Sequence, residues 1–155
     1  MPDMLVKLYE LPPLEPAIAR CEASGIRIKR ALMPAMDKIC AWAGEKFGPG
    51  WAAECRGCFA NRPVSLFVAY RDKEILGFAC YDTTCRDFFG PTGVDESLRG
   101  KGAGAALLLA CLHDMATLGY GYAVIGGAGP VAFYEKVCGA TVIEGSVPGI
   151  YKDML

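Results

Sequence analysis

The sequence predicts an α/β domain of the α+β kind, a sheet of mainly antiparallel strands flanked by helices. Three observations carry that prediction. Pro63–Tyr70, Ile75–Tyr81 and Phe88–Val94 are short runs of β-type residues joined by tight turns, Arg71–Glu74 and Asp82–Arg86. A glycine cluster over residues 93–104 (GVDESLRGKGAG) then gives way to a Leu-rich run, Ala105–Leu112, of strong helix formers. The 155 residues are 53% apolar and 21% charged, a globular composition. That length points to a single domain over 1–155 with a sizeable core.

The remaining elements follow in order. Met4–Glu10 alternates enough for a strand, which Pro12, Pro13 and Pro16 stop. Ala17–Cys21 forms either a helical turn or a packed lead-in. Ile26–Ala31 alternates apolar and basic residues with period two, the pattern of a half-buried strand. Pro34 suits a helix start, and Met36, Ile39, Cys40, Trp42, Ala43 and Phe47 give that helix an apolar stripe. Gly48-Pro49-Gly50 ends it, and Trp51–Ala60 reads as a second short helix. On the helix after the glycine cluster, Leu108, Cys111, Leu112, Met115 and Leu118 form the buried stripe. Ala106, Ala110, His113 and Thr117 lie opposite, so His113 reads as a surface residue and not as a base.

Composition narrows the function classes. Net charge is −1 with no long run of either sign, against the basic face of a nucleic-acid binder. The longest strongly apolar run, Ala103–Leu112, is too short to span a bilayer, and no cleavable leader opens the chain. The expectation is a soluble, cytoplasmic protein that engages neither membrane nor nucleic acid. Eight cysteines fall inside predicted helices and strands and read as reduced thiols. Cys55 and Cys58 are the one close pair; with no second pair and His113 the only histidine, no metal is expected.

The glycine cluster carries the chemistry. A strand-to-helix junction leaves the first helical amides unpaired and aims them, with the positive end of the helix dipole, at whatever precedes them. Arg99 and Lys101 add positive charge, so this is an anion site suited to phosphate. The P-loop template fails, because Gly102 stands where a Ser or Thr must follow Gly100-Lys101. The dinucleotide fingerprint fails too, since Leu107 occupies the place of its third glycine.

A third template, Arg/Gln-x-x-Gly-x-Gly/Ala, matches Arg99–Gly104 without a gap. Here the chain resembles the GNAT superfamily of N-acetyltransferases, whose loop wraps the CoA pyrophosphate with backbone amides. Downstream, Gly121–Gly126, then Gly129–Gly139 containing Phe133-Tyr134-Glu135-Lys136, then Ala140–Glu144 resemble that superfamily's closing strand, short helix and strand. Three details depart from its pattern. Cys138 is an extra residue before Gly139, Gly126–Pro130 replaces an Asn often found at the end of the fifth strand, and Ala140 replaces a common aromatic. The likeness is firm over residues 62–145, looser over 26–61 and absent before that.

The resemblance implies a mixed, mainly antiparallel central sheet flanked by helices, the GNAT-like acyl-CoA-binding fold. It implies acetyl-CoA as donor, held by the amides of Arg99, Gly100, Lys101, Gly102, Ala103 and Gly104, with Gly93 and Val94 beside the pantetheine arm. It implies Tyr134 as the acid that protonates the leaving thiolate, a phenol with a pKa near 10 being suited to that. The base stays open among Glu54, Asp82, Asp87 and Glu144. Glu54 and Arg56, with Trp51, are candidates for acceptor contacts, and Asp95 and Glu96 for shaping the turn. The acceptor would be an amine of a small molecule or peptide. A non-catalytic acyl-CoA sensor and a transferase of longer acyl groups are the rivals. Ile26–Ala31 would be the first strand, making 1–25 an N-terminal extension whose strand is free to pair across a homodimer.

Overall fold

Pairing among β1 (Met4–Lys7), β2 (Arg27–Arg30), β3 (Leu66–Arg71), β4 (Glu74–Tyr81), β5 (Phe88–Val94), β6 (Tyr122–Ile125) and β7 (Thr141–Val142) gives one sheet. Its order is β2-β3-β4-β5-β6-β1-β7 in the computed structural model, which describes residues 1–155. Only β5 and β6 run parallel, so the sheet is mixed and mainly antiparallel, as the sequence predicts. Five helices flank it: α1 (Glu15–Ala23), α2 (Met36–Phe47), α3 (Pro49–Cys58), α4 (Ala103–Thr117) and α5 (Val131–Cys138).

Strand periodicity sorts the core into two layers. Leu66, Val68, Phe78 and Cys80 face α2 and α3, where Ile39, Cys40, Ala43, Cys55 and Cys58 cover them. Ala69, Ala79, Tyr81 and Phe89 face the opposite way, toward α1, α4 and α5. All eight cysteines are free thiols and seven are buried. No helix is long and apolar enough to cross a membrane.

The N-terminal residues are not an added arm. β1 lies inside the sheet, antiparallel to β6 (Val6 opposite Ala123) and to β7 (Met4 opposite Val142). Met4 and Val6 are wholly buried. Both edges of β1 are thus taken within its own chain, which removes the free edge expected to serve a homodimer. The strand stops at Lys7, short of Glu10, because Leu8–Glu10 turns as a 3-10 helix with the Leu8 amide donating to Gly121 O at 3.1 Å. Ala17–Cys21 belongs to a full helix, with Pro16 tolerated in its first turn.

That helix corrects the reading of α4. Ala106 and Ala110, placed on the open side, are buried because α1 packs there, and Cys21 from α1 is wholly buried. Leu118, expected in the stripe, lies past the helix end and is half exposed. His113 is half-buried, its Nε2 2.8 Å from Pro12 O, so it ties the N-terminal segment to α4.

Candidate functional site

The sheet opens where its one parallel pair ends. β5 and β6 are paired only at Phe88–Val124 and Phe89–Ile125, after which β5 continues alongside β4 alone. In an antiparallel ladder the hydrogen-bonded positions alternate. Asp95 N donates to Leu76 O at 2.8 Å, so Gly93 is the next residue bonded to β4 and the Val94 amide points into the opening. Gly93 also serves the packing of the opposite layer. A Cβ there would lie 2.6 Å from the Phe47 ring, so its lack of a side chain lets α2 seat against β5.

The anion loop follows at once. Asp95 Oδ1 accepts from Ser97 N at 2.9 Å, capping the 3-10 turn Glu96–Leu98, and Lys46 pairs with its other oxygen at 2.8 Å. The Lys46 ammonium, with the Ser97 bonds, holds the Asp95 carboxyl well below the usual carboxylate range. Asp95 is therefore a turn-former, as expected. Arg99 N and Lys101 N are spent inside the turn, on Glu96 O (3.2 Å) and Leu98 O (3.1 Å). This corrects the expectation of an unbroken row of donors from 99 to 104. The amides of Gly100, Gly102, Ala103, Gly104 and Ala105 donate to no protein acceptor, and they lie at the positive end of α4.

Gly102 is left-handed (φ +82°), and a Cβ there would press on Arg20 Cδ at 3.0 Å. Arg20 itself donates to Gly100 O at 2.8 Å, bracing the loop from α1. Sequence reading misses Arg20, since its partner lies eighty residues away in the chain. Lys101 does not line the opening, whereas Gly93, Val94, Arg99, Gly100, Gly102, Ala103 and Gly104 do.

These residues bound a cleft of about 730 Å³ that runs from the loop, past Val94 and Phe89, to α5. Tyr134 forms part of its wall, 6% exposed and packed edge-on against Phe133 and Phe89. Burial pushes its hydroxyl up to about 12, with a smaller push from Cys138. A second cavity of about 470 Å³ lies beside the first, sharing Met1, Trp51, Phe89, Gly90, Pro91, Gly126 and Gly127 in its lining.

The four carboxylates separate here. Glu54 alone lines the second cavity, its Oε1 accepting from the Thr84 hydroxyl. Asp82 sits elsewhere, against Asn61 and Ser65, where it accepts from Asp87 N (2.6 Å) and Tyr120 OH (3.0 Å). Asp87 has one buried oxygen without a partner; burial and the Asp82 charge push its carboxyl up to about 6. It lines neither cavity. Glu144 is exposed beyond β7 and also lines neither. Of the acceptor candidates, Trp51 joins Glu54 at the cavity, while Arg56 pairs with Asp37 at 3.3 Å on the outer surface. Tyr151, which carries no signal in the sequence, closes the far wall; its hydroxyl lies 2.5 Å from where a Cβ on Gly126 would stand. The Gly126–Pro130 stretch that replaces the expected Asn is pinned by the N-terminal segment: Gly127 N donates to Asp3 Oδ1 (2.8 Å) and Ala128 N to Pro2 O (2.7 Å).

The family model described as acetyltransferase (GNAT) matches residues 36–140. No curated protein matches the sequence at a significant level. Among solved structures, the chain is similar to the GCN5-related glucosamine N-acetyltransferase region of a fungal multi-domain GH3 β-N-acetylglucosaminidase. The TM-score is 0.74 at 16% identity, covering 92% of this chain and 19% of that one. It is also similar to a GCN5-related N-acetyltransferase from Sphaerobacter thermophilus (TM-score 0.69, 17% identity, 92% of this chain and 48% of that one). A Drosophila protein aligns with TM-score 0.64 at 12% identity, over 92% of this chain and 47% of its own. At these identities the likeness is one of fold, and the chain spans half or less of each of these proteins.

Proposed function

The chain belongs to the acetyltransferase (GNAT) family, and from that premise we propose that it moves the acetyl group of acetyl-CoA to an amine by direct transfer, with donor and acceptor bound together. The observation that carries this reading is that the two cavities lie side by side and share part of their lining. One end presents a row of unpaired amides and the other a single carboxylate, with Phe89, Pro91 and Gly126 shared between them.

A pyrophosphate fits the loop chemically, because Gly100 and Gly102–Ala105 offer free N–H donors at a helix N-terminus and Arg20 and Arg99 lie beside them. The Val94 amide suits the pantetheine arm and the thioester oxygen, since it points into the cleft and has lost its strand partner. Such a preplaced donor stabilises negative charge where it develops. Glu54 takes the proton from the incoming ammonium, directly or through water, leaving the neutral amine that attacks. Tyr134 donates its proton to the departing thiolate; a hydroxyl held near 12 stays protonated at every pH where the amine is reactive. The eight reduced thiols suit a reducing, cytoplasmic setting.

The test is release of free CoA thiol from acetyl-CoA in the presence of mixed primary amines, with acetylated amine identified by mass. Amine-dependent thiol release matched by acetylated product is expected. Binding of acetyl-CoA without amine-dependent release would leave a sensor and not an enzyme.

A further inference from the structure

The second cavity has a chemistry that selects among amines. Resting on the acetyltransferase reading, we propose that the acceptor is a primary amine on one apolar, preferably aromatic, body, bound as a monocation.

Charge comes first. Glu54 is the one charged side chain lining this cavity, and no Lys, Arg or second acid joins it. One carboxylate balances one ammonium; a polyamine would bring further cations to a wall that cannot pair them, and a buried unpaired charge is strongly disfavoured. Glu54 is also braced, since the Thr84 hydroxyl donates to its Oε1 and leaves Oε2 to meet an ammonium.

The polar capacity of the rest is small. Thr84's proton is spent on Glu54 and the Gly127 amide on Asp3. Among the lining side chains, the Tyr151 hydroxyl is the main polar group left. An amino sugar would enter with a hydroxyl on nearly every carbon and find partners for few of them, and a desolvated hydroxyl without a partner opposes binding.

The walls are apolar and aromatic: Trp51, Phe89 and Tyr151 inside, with Pro91, Val147 and Met154 toward the mouth. Val147 is 59% and Met154 75% exposed, large apolar side chains left uncovered at the rim of a cavity. A volume of about 470 Å³ falls in the range of sites for compact organic ligands. An arylalkylammonium answers each feature: its cation meets Glu54, its ring takes the faces of Trp51 and Tyr151, and its chain covers the rim.

The experiment is calorimetric titration of CoA-saturated protein with 2-phenylethylamine, glucosamine and spermidine. CoA loading is measured first. The expected result is 2-phenylethylamine binding at least about tenfold tighter than either rival, a difference of roughly 1.4 kcal/mol. Glu54→Gln should weaken the amine about tenfold yet leave the neutral 2-phenylethanol unaffected, because only the ion pair is lost. Tyr151→Ala, which removes a wall without touching the carboxylate, should weaken both ligands together. Glucosamine or spermidine binding as tightly as 2-phenylethylamine, or an equal loss for amine and alcohol in Glu54→Gln, overturns this inference alone. Absence of CoA loading overturns the acetyltransferase reading and this inference with it.

Discussion

The two ends of α4 treat their polar groups in opposite ways. Toward its C-terminus, Asp114 closes a clasp: Arg30 Nη2 and Nη1 donate to its two oxygens at 2.7 and 3.0 Å, and the Tyr81 hydroxyl donates to it as well. Arg30 also donates to Val64 O at 2.7 Å and lies over the Phe67 ring. The Asp114 carboxylate pushes the Arg30 guanidinium further up, and burial together with Asp114 does the same to the Tyr81 phenol. At the N-terminus, by contrast, five amides from Gly100 to Ala105 have no partner. One helix is therefore held at one end by satisfied bonds and left receptive at the other. The closed end fixes the direction in which the open end points, and it is at the open end that the fold leaves hydrogen bonds unmade.

Removing the clasp gives the largest effect expected. Asp114→Ala strands Arg30 among packed side chains, which costs about 3 kcal/mol for a pair of this kind, more than a hundredfold in the folding equilibrium. Urea unfolding measures it, and the folded fraction should still bind CoA. Loss of CoA affinity at unchanged stability would dissolve the distinction between the two ends. Next comes Tyr134→Phe, which keeps the edge-on packing with Phe89 and Phe133 but removes the hydroxyl proposed as the acid. A fall in kcat of about 100-fold with little change in the KM for acetyl-CoA is expected. Because the wild-type hydroxyl is pushed up to about 12, its protonated form persists as pH rises. Wild-type kcat should accordingly show no alkaline loss from this group between neutral pH and about 10, two units below that value.

Smaller effects sharpen the open end. Gly102→Val forces a β-branched residue to φ +82° against Arg20, and should weaken CoA about tenfold or more in a direct titration. Gly104→Ala meets only Phe133 at 3.7 Å and should cost much less, so equal losses would mean the loop is not the binding element. The smallest change lies away from both ends. The folded Asp87 carboxyl sits near 6 against an ordinary 3.8, so its protonation favours folding fully below about pH 4 and that contribution is lost as pH rises through 6. Asp87→Asn should raise the melting temperature by about 2–4 °C at pH 7.5, the shift that roughly 1 kcal/mol gives a domain of this size once solvent screening is allowed for. At pH 4 the two proteins should melt together.

How much of the molecule is legible in its sequence follows from distance along the chain. The glycine turn before α4 and the β3–β5 meander are local patterns, so the strand-turn-helix junction and the strand runs identify themselves. That the Val94 amide, and not that of Gly93, faces the opening needs the register with β4. The N-terminal strand misleads, because alternation over Met4–Glu10 says nothing about which edge will accept it. Its place between β6 and β7 depends on partners more than a hundred residues away. Arg20 and Asp3 brace the site across similar separations and carry no local signature. The four carboxylates are equal in sequence until folding sends Asp82 and Asp87 away from the cleft and keeps Glu54 beside it. Lys101 reads as a ligand because charge next to a glycine loop is suggestive, yet its amide is spent on Leu98 O and the residue lines neither cavity.

The central claim is that the unpaired amides after β5 form a site for an acyl-CoA, and calorimetric titration of the purified protein with acetyl-CoA, CoA and ATP side by side tests it most directly. Saturable binding of acetyl-CoA and CoA at one site per chain, much tighter than ATP and weakened by Gly102→Val, is the predicted result. Binding of ATP alone, or CoA binding untouched by Gly102→Val, would contradict it.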